Sequence, residues 1–458
     1  MKQWMKMPVC RLRQLALARG LMVLLVVMGG WVMARAVGAN GQYQWSVQLR
    51  GYVSAETGKE PTAHLWLPTG IDTVRAVVMA QQNMTEEALF KMPAFKERMA
   101  RLGIGLLWIA PAFTNTWDPL SGCQQVFEEL MTDIAYQSGH PELATAPVIP
   151  FGHSAQATFP WNFAAWNKAR TLCIISFHGD APRTNLCGFG ASNVEWGRTR
   201  NIDGVPGLMV EGEYEWWEAR VYPALAFRMM YPESCVSFLC DTGRGHFDCS
   251  EETALYIADF IDKSMQHRYR GVGQPLASVN VRQGWLAERW HPGQQERPAA
   301  APYDSYRGDR HDAFWYFDQE MAQRTEQRYA RDARLGMQYV GVEYGGEQVS
   351  YDEKTQGGMM LHIDPTKLKR QNGYPVFSIR AVAVDAQHRK ITPGKAWRGT
   401  VETICGPVEK IGEDLFRIVP YEGGLDNPRR SFTIWLCAVA QADDASKTAV
   451  QPIQIRLK

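Results

Sequence analysis

The sequence predicts an α/β protein: a mostly parallel β-sheet covered by helices on both faces, followed by a small β-sandwich. Two observations carry this expectation. First, short apolar runs at 74–80, 103–112, 147–151, 171–177, 207–210 and 235–240 alternate with longer segments of helical character. Strands that are apolar throughout, rather than on every second residue, are buried on both faces, which is the condition of a parallel sheet with crossover helices. Second, from about residue 338 onward, strand-like runs follow one another with turn signals between them and no helical spacing. That pattern is an all-β unit.

The elements follow in order. Residues 42–51 and 63–67 alternate polar and apolar and predict two antiparallel strands around a turn at Thr57-Gly58. The first strongly apolar strand, 74–80, runs into the polar loop Gln81-Gln82-Asn83. Thr85 then opens a helix with Ala88, Leu89, Met92 and Phe95 near helical spacing. Helices are predicted again over 126–138, from Phe159 to Lys168, over 218–231 and over 250–265. Residues 268–310 are rich in proline and predict an irregular connector that packs on the first domain through Trp285 and Trp290. A helix over 313–334 carries Phe314, Phe317 and Met321 on one face. The expected domains are thus 40–267, a connector with a helix at 268–334, and the β-sandwich at 335–458.

Residues 1–39 stand apart. Lys2, Lys6, Arg11, Arg13 and Arg19 precede an almost wholly apolar run from Gly20 to Ala34, and small residues follow at Ala36, Gly38 and Ala39. Basic, apolar and small regions in that order predict a secretory signal peptide, with cleavage after Ala36 or Ala39. The alternative is a retained membrane anchor, for which the apolar run falls short of the roughly 20 residues needed. The expected protein is exported, periplasmic or extracellular, and free of the membrane after cleavage.

A net charge of +1 gives no long-range attraction toward nucleic acid. Cys173, Cys235 and Cys240 lie in strand-like runs and read as buried thiols, whereas Cys405 and Cys437 could bridge in an oxidising compartment. His246 and Cys249 are the one close Cys/His pair, and no second pair accompanies them. No metal and no cofactor is therefore expected.

The chemistry gathers at Pro147-Val-Ile-Pro-Phe-Gly152-His153-Ser154-Ala155-Gln156-Ala157. A strand, a corner of small residues around a serine, and a helix make the setting of a nucleophile elbow, although Gln156 stands where the usual pattern has a second glycine. A serine hydroxyl needs a base, and the base needs an orienting carboxylate. His246 has the best setting for the base, in the glycine-rich loop after the last buried strand. Acids cluster at Glu211, Glu213 and Glu215 after the preceding strand, with Asp180 one strand earlier.

In strand order, elbow, acid corner and histidine loop, residues from about 40 to 265 resemble an α/β-hydrolase. The segment 205–215 is similar to that superfamily's Pro-x-Leu-x-x-x-Gly-x-x-Asp pattern, with Glu215 at the acid position and Glu211 and Glu213 as competitors. The resemblance implies a Ser154–Glu215–His246 triad. It also implies an oxyanion hole from the backbone N–H groups of Ala155 and of the loop at Gln82. The export signal, the added β domain and the aromatic loops are similar to secreted carbohydrate esterases. That narrower likeness implies an acetyl or methyl ester on an acidic plant polysaccharide. In it, His178 lines the pocket and the insertion 179–204 overhangs it, with Trp196 offering a face to a sugar ring and Arg183 and Arg198 pairing with uronate carboxylates. The alternatives are a peptidase or lipase on the same fold, and a catalytically silent carbohydrate-binding or adhesion protein.

Overall fold

The computed structural model describes residues 43–457 apart from 54–57, 84, 185–192, 213–216, 243–245, 247–248, 292–295, 330–339, 353–358, 386, 395–396, 406–407, 420–431 and 442–447. The N-terminal segment expected to be a signal peptide lies outside them. No helix among the described residues is long and apolar enough to cross a membrane.

Eight strands form the principal sheet: β1 (Trp45–Gln48), β2 (Thr62–Trp66), β3 (Ala76–Gln81), β4 (Ile104–Ala110), β5 (Val148–His153), β6 (Ile174–Phe177), β7 (Pro206–Gly212) and β8 (Cys235–Asp241). Their order is β1-β2-β4-β3-β5-β6-β7-β8. β1 and β2 are antiparallel, as expected from their alternating pattern, and every pair from β4 to β8 is parallel. The helices that cover it are α1 (Glu86–Lys91), α2 (Pro93–Leu102), α3 (Cys123–Ser138), α4 (Phe159–Trp166), α5 (Trp217–Met230) and α6 (Glu251–Arg268). The strand order and the run of parallel pairs are those expected from the resemblance to an α/β-hydrolase.

Alternation along β3 shows why its run is continuously apolar. Ala76, Val78 and Ala80 enter one core with Phe90, Phe95 and Ile257, while Val77 and Met79 enter the opposite core with Phe127, Ile134 and Phe163. Both faces are buried, so a polar residue in this strand needs its own hydrogen-bond partners, as Gln81 at its end has. Apolar burial of this kind contributes on the order of 1.5–3 kcal/mol per large side chain.

The expected connector is a correction. Residues 268–329 are built into the first unit, with a three-stranded antiparallel sheet of β9 (Trp285–Glu288), β10 (Ala301–Pro302) and β11 (Ala313–Tyr316), then α7 (Gln319–Tyr329). Ala313 to Tyr316, expected to start a helix, form a strand. All four are buried: Tyr316 donates its hydroxyl to Phe238 O on β8 at 2.6 Å, and Trp315 O accepts from Ser237. Four consecutive buried residues satisfy a strand sandwiched between layers and not one face of a helix. Trp290 is buried and Trp285 packs against the same core, as expected.

The C-terminal unit contains two mostly antiparallel sheets. One holds six strands, centred on Tyr374–Val382; the other holds Met360–Ile363, Arg398–Cys405, Phe432–Gln441 and Thr448–Leu457. Val342, Ile379 and Phe416 from the first share a core with Ile363, Val401, Ile434 and Ile455 from the second. Cys405 pairs in register with Trp435 and Cys437 with Glu402, so the two cysteines are diagonal on adjacent strands and not directly opposite.

Candidate active site

Three loops at the carboxyl ends of β3, β5 and β8 converge. β5 ends at His153, and Ser154 follows with φ of 53° before a 3₁₀ turn over Ser154–Gln156 and then α4. A non-glycine residue in the left-handed region is strained, and here the strain turns the hydroxyl out of the strand. A Cβ added at Gly152 would lie 1.9 Å from Gln156 O, and one at Gly179 would lie 1.8 Å from Ala157 Cβ. The close approaches of the elbow are therefore at Gly152 and Gly179. Gln156 is free to carry a side chain, and its Nε2 donates to Asn115 Oδ1 at 2.7 Å.

His246 reaches the serine. Its Nε2 lies 2.7 Å from Ser154 Oγ. The imidazole is nearly enclosed, at 4% exposure, which keeps water from competing for the serine proton. Glu213 and Glu215 lie outside the described residues. Glu211 is fully buried, with Oε2 held by Arg220 Nη1 at 2.8 Å, an ion pair tying β7 to α5. Asp180 is buried under the elbow helix: Oδ2 accepts from Thr158 Oγ1 at 2.8 Å, and its carbonyl accepts from Trp161 Nε1 at 2.6 Å. These contacts give Asp180 the part of a brace for α4.

Ala155, the residue after the serine, supplies the second N–H of the 3₁₀ turn, where donors have no partner within the turn. Gln82 is a correction: its backbone N–H donates to Ile109 O at 2.7 Å, extending the β3–β4 pairing, so it is spent as an oxyanion donor. The three polar residues of this loop each have structural work. Gln81 donates to Thr114 O at 2.7 Å and accepts from the N–H groups of Phe113 and Thr114 at 3.0 and 2.9 Å. Asn83 Nδ2 donates to His153 O at 2.5 Å. Asn83-Met84-Thr85 has the form of a glycosylation sequon, and a glycan on Asn83 would remove that bond.

The expected substrate contacts are mostly displaced. His178 does come to the site, with its ring centroid 6.0 Å from that of His246, but it is wholly buried among His153, Phe177 and His246 and presents no surface to a ligand. Trp196 is 1% exposed, with Nε1 donating to Asn162 Oδ1 at 2.6 Å and its ring against Phe227. Arg183 packs over Trp196 and Tyr231 and bonds the Tyr231 hydroxyl. Tyr231 directly follows α5, on the way into β8. Arg198 is exposed, two residues before Arg200, whose guanidinium lies 4.1 Å over the Trp166 ring at the far end of α4. Within the described part of the insertion, Trp196 belongs to the core. Aromatic residues between the strands were expected in exposed loops, yet an indole with a hydrogen-bond partner is equally at home buried.

Two residues escaped the sequence reading. Glu86 is fully buried in the first turn of α1, with Oε1 accepting from His153 N–H at 2.9 Å and Oε2 from Thr85 N–H at 3.1 Å. In sequence it is indistinguishable from the ordinary acid of a helix N-terminus. His153, which directly precedes the serine, places Nε2 2.7 Å from His246 O.

One further group has metal-ligand character. Glu288, His291 and Asp312 bring ligand-type atoms within 4.8 Å of one another. Both Asp312 oxygens are engaged, Oδ1 by Arg289 Nε at 2.5 Å and Oδ2 by His291 Nε2 at 2.6 Å. The positive charge of Arg289 already balances the pair, and the group works as a clamp between β9 and the start of β11.

No protein-family model and no curated protein matches the chain. Among solved structures it is similar to Est1E from Butyrivibrio proteoclasticus, at 12% identity over 48% of this chain and 97% of that one, with a TM-score of 0.31. It is similar also to an S-formylglutathione hydrolase from Agrobacterium tumefaciens, at 12% identity over 48% of this chain and 92% of that one, TM-score 0.33. A carboxylesterase from Bacillus cereus matches at 11% identity over 44% of this chain and 93% of that one, TM-score 0.32.

Proposed function

We propose that the chain is a serine ester hydrolase that works through an acyl-enzyme. The observation that carries the proposal is the 2.7 Å approach of His246 Nε2 to Ser154 Oγ, with Ser154 held at positive φ on an elbow. Ser154 Oγ attacks the ester carbonyl while His246 Nε2 takes its proton. The tetrahedral oxyanion receives the Ala155 N–H, and a second donor comes from the β3 loop beyond Gln82. His246 then gives the proton to the leaving alcohol, and water cleaves the acyl-enzyme by the same relay. Glu215 or Glu213 orients His246. This assignment is supported by the commitments of Glu211 to Arg220 and of Asp180 to Thr158.

The finer reading is an exported enzyme acting on an acetyl or methyl ester of a carbohydrate, with the C-terminal sheets forming a small β-sandwich. It rests on the basic-apolar-small N-terminus and on the shared core of the two sheets. Uronate recognition by Arg183 and Trp196 is no longer among its supports, because Trp196 is buried and the Arg183 guanidinium is engaged by Tyr231 and Glu195. A catalytically silent binding protein has no need of a buried histidine at bonding distance from a strained serine, which favours the enzyme. Turnover of p-nitrophenyl acetate by the wild type and by Ser154→Ala tests the function. Loss in the variant is the expected result, and equal rates would overturn it. Acid release from a panel of acetylated and methylated polysaccharides tests the substrate class.

A further inference from the structure

We infer that His153 is a positioning residue for the catalytic base, tying the backbone of His246 to the backbone of the nucleophile. The inference rests on the assignment of Ser154 and His246 above and extends it to a residue that touches neither the serine hydroxyl nor a substrate.

His153 is fully buried, and its N–H, its carbonyl and its Nε2 are held by three different elements. Its N–H donates to Glu86 Oε1 on α1 at 2.9 Å, and its carbonyl accepts from Asn83 Nδ2 in the β3 loop at 2.5 Å. Its Nε2 lies 2.7 Å from the carbonyl oxygen of His246. A carbonyl oxygen can only accept, so Nε2 carries the proton and the ring donates. The partners are 67, 70 and 93 residues away in the chain. One residue therefore joins the oxyanion loop, the strand that ends in the nucleophile, and the loop that brings the base.

The consequence is geometric. His246 sits on a loop, and its ring can hold a 2.7 Å contact with Ser154 only if its own backbone is fixed. The described bond that fixes its carbonyl comes from the residue next to that serine. A shift of the reacting groups by about 1 Å costs on the order of 10²-fold in rate. Losing the His153 donor should thus lower kcat while leaving KM little changed, since His153 has no surface for a substrate.

The test compares His153→Met with His153→Gln. The two side chains are unbranched and similar in volume, and only glutamine offers an N–H. Both are measured for p-nitrophenyl acetate kinetics, for the rate of Ser154 labelling by a fluorophosphonate, and for thermal unfolding, beside wild type and Ser154→Ala. The expected result is a loss of tenfold or more in kcat and in labelling rate for His153→Met, with KM within about threefold, and recovery to within tenfold of wild type for His153→Gln. Equal activity of the two variants, or a loss carried by KM, overturns the inference. If His153→Met unfolds below the assay temperature, His153→Gln alone decides: activity within tenfold of wild type upholds the inference and a larger loss overturns it. Full activity in Ser154→Ala would instead overturn the esterase assignment, so the two failures are distinguishable.

Discussion

His246 Nε2 lies 2.7 Å from Ser154 Oγ across 92 residues of chain. Two strands, β5 and β8, with β6 and β7 between them, carry the loops that meet there. Under the proposed function, the pairing gives the serine a base and the elbow a reason to carry strain. Its neighbours Gly152, Asp180, Glu86 and His153 are all spent on holding the corner in place.

The elbow predicts unequal responses at its two ends. Gly152→Ala places a methyl 1.9 Å from the Gln156 carbonyl, a backbone atom that cannot step aside. Overpacking of this kind costs about 1–3 kcal/mol, and esterase activity should fall with it. Gln156→Gly, which restores the usual elbow pattern, loses one bond to Asn115 and should cost only about 1 kcal/mol. Urea unfolding of the two variants measures the difference. Equal destabilisation would contradict the placement of the close approach at Gly152.

The ion pair of Glu211 and Arg220 predicts an asymmetric mutational pattern. Both are buried, at 0% and 4% side-chain exposure. Arg220→Met leaves a charge uncompensated in the core and should cost about 3–5 kcal/mol. The double variant Glu211→Gln/Arg220→Met should recover much of that loss. A double-mutant cycle by chemical denaturation checks it.

Thiol chemistry follows from burial. Desolvation pushes Cys173 up to about 12, Cys235 to about 12 and Cys123 to about 11. At pH 8 these three should leave a disulfide reagent unreacted in the native protein and react on unfolding. Native Cys173 and Cys235 keep their protons where the unfolded chain loses them. Their contribution to stability is therefore full below about pH 8.5 and declines as pH rises toward 12. Rapid labelling of Cys173 in folded protein would contradict the packing of β6.

Arg183 predicts a result that separates this structure from the sequence expectation. Its guanidinium is engaged over Trp196 and Tyr231 and bonds the Tyr231 hydroxyl. Arg183→Ala should leave kcat/KM on a neutral and on an acidic ester changed by less than about threefold, while lowering the melting temperature by a few degrees. A selective loss on the acidic ester would restore Arg183 to the substrate site.

The legible parts of this molecule were those set by local pattern. Apolar runs such as 74–80 announce a doubly covered sheet because both faces of β3 need apolar residues. Ser154 and His246 were readable from the small-residue corner and the glycine-rich loop. What escaped depends on which way a side chain turns once packed. Trp196 and Arg183 have the composition of a binding loop, yet their partners Asn162 and Tyr231 draw them inward. Glu86 reads as a surface acid of a helix start, and only the approach of His153 N–H explains its burial. Ala313 to Tyr316 has no alternation to distinguish a strand from a helix, and tertiary contact with β8 decides it.

The most direct measurement of the central claim is the site of covalent capture by a fluorophosphonate, read by intact-mass and peptide mass spectrometry. A serine activated by a histidine at 2.7 Å should take up one adduct on Ser154, and His246→Ala should slow the uptake at least a hundredfold, as expected for removal of a general base. No adduct on Ser154, or uptake at the same rate without His246, would contradict the assignment.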